Sequence, residues 1–174
     1  MEVKPVRKTS VEVKTVSLQN RYVFYLLLFI SAFSIKLFFY FYLSDPLIFL
    51  KYPFFADQIN KGIDIGERIL DLSPLYLYGM ILLQKVYGSN WEAMIVFQIL
   101  MGSAVIVFIF IIGERLFGRI TGFLASVILI LYGNLVLFEL TLEPEAFVLF
   151  LNALFVLTLL WLKDNAHQKF TLWG

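Results

Sequence analysis

Cysteine is absent from the sequence, which excludes disulfides, thiolate nucleophiles and cysteine metal sites. A single histidine, His167, provides neither a histidine metal cluster nor a Ser-His-Asp triad. Charge is scarce as well, at 16% of the 174 residues, against about 25% in soluble domains. Lys+Arg 14 and Asp+Glu 13 leave a net charge of +1, so no global field steers a nucleic acid or other polyanion to the chain. Its place is taken by apolar residues: 60% hydrophobic, 18% aromatic, mean hydropathy +0.84. That excess has to face something other than water.

Four runs approach the roughly 20 residues a helix needs to cross about 30 Å of hydrocarbon. They are 22–43, with Lys36 as its only charge, 93–113 and 120–138, with none, and 146–162. The expected fold class is therefore an all-α membrane protein of about four transmembrane helices. A fifth run, Leu72 to Gln84, opens on Ser73-Pro74 and closes on Lys85; as a helix it reaches only about 20 Å. The first run has no small-residue cleavage pattern and ends in Phe38, Tyr40, Phe41 and Tyr42, so it reads as an uncleaved anchor.

Basic residues orient the chain. Lys4, Arg7, Lys8, Lys14 and Arg21 precede the first span and favour a cytoplasmic N-terminus. If Leu72 to Gln84 does not span, these join Arg115, Arg119, Lys163 and Lys169 inside, and Lys51, Lys61, Arg68 and Lys85 stay outside. If it does span, the positive-inside bias is lost. The expected organisation is a basic cytoplasmic tail (1–21), disordered through Met1 to Asn20, a membrane region (22–162) with a long extracytoplasmic loop (44–92), and a cytoplasmic end (163–174). Leu72 to Gln84 is then a short juxtamembrane helix or re-entrant segment against the outer leaflet, where Tyr76, Tyr78 and Tyr87 suit the interface. Ile59, Ile63 and Leu70 recur at near-helical spacing, which predicts an amphipathic helix over Asp57 to Leu70, with Gly62 and Gly66 as weak points. No internal repeat points to a symmetric transporter.

Four outer carboxylates are candidates for chemistry. Glu139, Glu143 and Glu145 crowd one short loop without a cation, and Asp57 reaches the same compartment. The structural alternative is a helix junction: Pro144 suits a first helical turn, and acids suit its positive dipole end. Asp57 is read either as an N-terminal helix acid or as a carboxylate beside Phe54-Phe55 able to take a proton from a hydroxyl. Lys36 is read as snorkelling to the interface, with a cation facing an internal lipid-phosphate cavity as the alternative. Lys85 could hold a headgroup or substrate phosphate, whereas Arg115 and Arg119 read as topogenic charges.

Leu72-Ser73-Pro74-Leu75-Tyr76-Leu77-Tyr78 followed by Lys85-Val86-Tyr87-Gly88 resembles the "SPLYPY…K(I/L)FG" block of polytopic GT-C glycosyltransferases related to dolichyl-phosphate-mannose protein mannosyltransferases. The resemblance continues through Gln98, Gly102, Gly113 to Arg119, Gly122 and Tyr132 into the Glu139 to Glu145 loop. It implies a multi-pass enzyme, of mannosyltransferase-like kind and in the plasma (inner) membrane. Such an enzyme moves a sugar from a polyprenyl-phosphate carrier to an extracytoplasmic acceptor (protein, lipid or glycan) with inversion. It also implies Asp57 as general base, Glu139 and Glu145 as further catalytic acids, and Lys85, Tyr76 and Pro74 as substrate-binding residues. A divalent cation, Mg²⁺ or Mn²⁺, would be held by Asp57, Glu139 and Glu143. Many relatives have a second acid where this chain has Gln58, and relatives continue through further membrane helices, so the chain resembles an N-terminal fragment. A non-catalytic membrane protein that binds or moves lipid-linked sugars and a membrane scaffold are the competing readings.

Overall fold

The computed structural model describes residues 9–42, 51–88 and 90–171. Among the described residues there are seven α-helices: α1 (Thr9–Tyr42), α2 (Lys51–Asn60), α3 (Pro74–Tyr87), α4 (Trp91–Phe117), α5 (Arg119–Leu131), α6 (Gly133–Leu140) and α7 (Pro144–Thr171), with a 3-10 helix at Gly66–Asp71. Three stretches among the described residues are long and apolar enough to cross a membrane: Asn20–Tyr42, Trp91–Phe117 and Pro144–Asn165. The α5–α6 pair makes a fourth when taken as one broken span, bent by 55°. This is an all-α membrane protein.

α4 is the hub, packing on α1, α5, α6 and α7. Its neighbours alternate in direction. Tyr25 near the start of the α1 span donates to Glu114 near the end of α4 (3.3 Å), and Arg115 pairs with Asp164 of α7 (3.2 Å). Arg119 lies 5.4 Å over the Phe24 ring at the same end. At the opposite end Leu142, Met94, Tyr76 and Tyr52 share one core cluster, so α5–α6 traverses the bundle. Backbone approach at the α4–α5 hairpin is set by glycine: a Cβ on Gly113 would stand 2.6 Å from Gly122 Cα.

Four expectations change. The span expected at 120–138 is not continuous, because Tyr132 is extended (φ −76°, ψ 91°) and the ladder restarts at Gly133. Thr9 to Asn20, expected to be disordered, continues α1; adding residues to an existing helix is cheap compared with nucleating one. Met1 to Lys8 lie outside the described residues. The helix expected over Asp57 to Leu70 instead occupies Lys51–Asn60, because Tyr52, Pro53 and Ala56 bury one face against α3. It stops before Gly62 and Gly66, both at positive φ (75° and 58°), a conformation that ends a right-handed helix. Asp57 therefore sits in the last turn of α2, where the dipole disfavours an acid, and is not an N-terminal helix acid.

The fourth change concerns Lys36, which does not snorkel. Its side chain is wholly buried and its Nζ lies 2.5 Å from Glu139 Oε1. At an insertion cost of about 2.5–3.5 kcal/mol for a charge at mid-membrane, a counter-ion on a neighbouring helix outcompetes a stretch of roughly 10 Å to the interface.

Candidate functional site

The end of the bundle that carries α2 and α3 is assembled by side-chain hydrogen bonds. Ser73 N donates to the Tyr52 hydroxyl (3.1 Å), and the Tyr52 and Tyr76 rings meet edge to face at 4.8 Å. Gln84 Nε2 donates to the Pro53 carbonyl (2.8 Å), tying α3 to α2. Buried Gln98 of α4 joins this unit to the turn before α7: its Oε1 accepts from the Tyr76 hydroxyl (3.0 Å) and its Nε2 donates to the Glu143 carbonyl (2.8 Å). Leu142 takes left-handed backbone (φ 55°) to bury its side chain there, which a non-glycine residue accepts at about 1–2 kcal/mol. Gln98→Leu strands these buried partners, so a loss of about 1–3 kcal/mol in unfolding free energy is expected in detergent denaturation.

The four carboxylates have separate surroundings. Asp57 Oδ2 accepts from Lys61 Nζ (2.5 Å), and the Asp57 side chain is 29% exposed. Glu139 is fully buried, paired with Lys36 across 103 residues of sequence, and its Oε2 has no hydrogen-bond partner among the described residues. Gly102 makes the space for this pair, since a Cβ there would overlap Glu139 Oε1 and stand 2.7 Å from Lys36 Nζ. Glu143 is half-buried in the turn, and Glu145 is exposed in the first turn of α7, directly after Pro144. Thus Glu143 and Glu145 share one turn, while Glu139 faces the interior of the bundle.

Burial raises the Glu143 carboxyl above the ordinary carboxylate value; neighbouring Glu145 adds to the rise and Lys51 opposes it. A raised value means the fold favours the protonated form. The group's contribution to stability is full below the ordinary pKa and is lost as pH rises through the raised one. Glu143→Gln cannot ionise, so its melting temperature should fall less between mildly acidic and neutral pH than that of the wild type.

Among the described residues no group of three or more histidines or acids is placed to hold a metal ion. Asp57 and Glu139, the two carboxylates expected to share a cation with Glu143, are each held by a different lysine. The donor set does not fit a shared divalent site. Of the expected substrate-binding residues, Tyr76 is buried with its hydroxyl engaged by Gln98, and burial raises its phenol. Pro74 starts α3 and is exposed, while Lys85 is exposed in its last turn, about 16 Å further along the axis. They mark opposite ends of one helix.

The Lys36–Glu139 pair and the bridging role of Gln98 were missed in the sequence reading. The signal for the first was present: a lone lysine in an apolar span implies a buried acid elsewhere. Nothing local to Gln98 indicates which carbonyl it reaches.

Neither a curated protein nor a solved structure matches the chain. A family model, dolichyl-phosphate-mannose-protein mannosyltransferase, matches residues 71–174, a stretch that begins beyond Asp57 and takes in α3, the α4 hub, the broken span and the acidic turn. That is more than half of the sequence, and at family level it brings glycosyltransferase activity, a polyprenyl-phosphate sugar donor and a multi-pass membrane setting. The chain belongs to the dolichyl-phosphate-mannose-protein mannosyltransferase family.

Proposed function

We propose that the protein transfers a sugar from a polyprenyl-phosphate carrier to an acceptor hydroxyl at the α2–α3 end of the bundle, and that this end is extracytoplasmic in a plasma (inner) membrane. The family match over 71–174 is the observation that carries this reading. The proposed orientation is supported by Arg21, Arg115 and Arg119, which gather at the opposite end, the side that the positive-inside bias favours as cytoplasmic.

In the proposed reaction Asp57 is the general base. Lys61 holds Oδ2, so the acceptor hydroxyl approaches Oδ1 and gives up its proton there as its oxygen bonds to the anomeric carbon. The bond from that carbon to the carrier phosphate breaks on the opposite face, inverting the configuration, and the phosphate leaves with the electron pair. Lys85, at the end of α3, is assigned to the departing charge, and exposed Glu145, in the first turn of α7, to the acceptor. Glu139 is assigned a different part, as the counter-ion of Lys36. No step is routed through a metal.

The test is transfer of labelled mannose from polyprenyl-phosphate mannose by the protein in proteoliposomes, supplied with peptide, lipid and glycan acceptors from outside. The reading expects product of inverted anomeric configuration. Saturable carrier binding with no product on any acceptor would replace the enzyme by a non-catalytic binder of lipid-linked sugars.

A further inference from the structure

A cavity of about 370 Å³ opens beside α2, lined by Phe54, Phe55, Gln58, Asp64, Ile65 and Arg68 together with Gly66. Its volume lies in the range of about 300–1,000 Å³ usual for small-molecule sites. Two features of the chain make it. The left-handed turns at Gly62 and Gly66 fold the segment after α2 back along that helix, and the 3-10 helix then presents Arg68 toward it. The pair Phe54-Phe55 supplies the opposite wall, with rings 5.5 Å apart at 73°. Phe55 is anchored against the core, whereas Phe54 is 52% exposed.

The chemistry of this wall is mixed in a specific way. Aromatic rings offer negative π faces, which attract the weakly positive C–H groups of an apolar ligand face. Around them stand a carboxylate, a guanidinium and a primary amide, which together donate and accept in several directions. Asp64 spends Oδ1 on the Gly66 amide (2.9 Å), which fixes the carboxylate and leaves Oδ2 for another donor. Among the described residues neither Asp64 nor Arg68 forms an ion pair. A pyranose ring has the complementary form: one face of C–H groups and a rim of hydroxyls that donate and accept.

We infer that the Phe54, Gln58, Asp64 and Arg68 cavity is a pyranose-binding subsite, with the ring stacked on Phe54 and its hydroxyls held by the three polar side chains. Gln58 follows Asp57 directly in α2, but successive helical side chains point different ways and Asp57 does not line the cavity. The inference rests on the transferase reading only for which sugar-bearing molecule enters, the carrier-linked donor or a glycan acceptor.

Saturation-transfer NMR on the protein in lipid nanodiscs, with methyl α-D-mannopyranoside as probe, tests it without requiring turnover. Transfer to the ring protons is expected. The apparent affinity should weaken roughly tenfold or more in Asp64→Asn and in Arg68→Gln, each losing a charged hydrogen-bond partner, and the ring signal should fall in Phe54→Ala. These side chains are exposed, so wild-type melting in each variant verifies the fold. Competition by polyprenyl-phosphate mannose identifies the donor's sugar, and persistence of the signal identifies an acceptor glycan. Absence of saturation transfer, or a signal indifferent to all three substitutions, overturns the subsite. Binding lost in these variants with no sugar transfer by the wild type would remove the enzyme and leave the subsite standing.

Discussion

Glu139→Leu is expected to destabilise the bundle by about 3–5 kcal/mol, because it leaves the Lys36 ammonium buried without a counter-ion. The pair crosses between α1 and the broken span, and no solvent reaches either side chain. Gly102→Val should act in the same direction through space alone, since a Cβ would stand where Glu139 Oε1 lies. Removing both charges is a different matter. A buried ion pair replaced by apolar residues of similar volume is commonly neutral or stabilising, so Lys36→Met with Glu139→Leu should recover most of what the single change loses. Denaturation of the wild type, Glu139→Leu, Lys36→Met and the double variant in one detergent measures the coupling. A single Glu139→Leu change with wild-type stability would remove the pair from the folding account.

Asp57→Asn is expected to lower sugar transfer by about 10²–10⁴-fold, the usual contribution of a positioned general base. Its effect on stability should be small, because the contact it loses is one i,i+4 pair, 29% and 63% exposed at its two side chains; such pairs are worth about 0.3–0.5 kcal/mol. The two readouts therefore separate, with melting nearly unchanged and transfer nearly abolished. Near-normal transfer by Asp57→Asn at normal expression would take this carboxylate out of the mechanism. Asp57→Glu keeps a base and should retain more transfer than the amide.

Membrane class, the short α3 and the Pro144 helix start were legible because each rests on local chemistry: run length, a proline at a first turn, an acid beside a positive helix end. The break at Tyr132 was not, since no proline marks it and both halves are apolar. The position of α2 was misread for a related reason. Periodicity in Ile59, Ile63 and Leu70 competes with the packing of Tyr52, Pro53 and Ala56 on α3, and only the latter is a tertiary fact. At the site, the turn containing Glu143 and Glu145 was found from crowded like charge, yet Glu139, in the same stretch of sequence, faces the opposite way. The chain leaves α6 at Leu140 and turns through Thr141 and Leu142, so Glu143 lies beyond the helix that carries the buried Glu139, and charge density along a chain carries no information about face.

The claim on which the account turns is a division of labour between acids, with Asp57 in the chemistry and Glu139 in the fold. Sugar transfer by the Lys36→Met, Glu139→Leu double variant tests it directly, read beside its melting temperature and beside the Glu139→Leu single variant. The account predicts that the double variant regains both stability and transfer close to the wild type. A double variant that melts like the wild type and still fails to transfer would show that the Lys36–Glu139 pair itself takes part in the reaction.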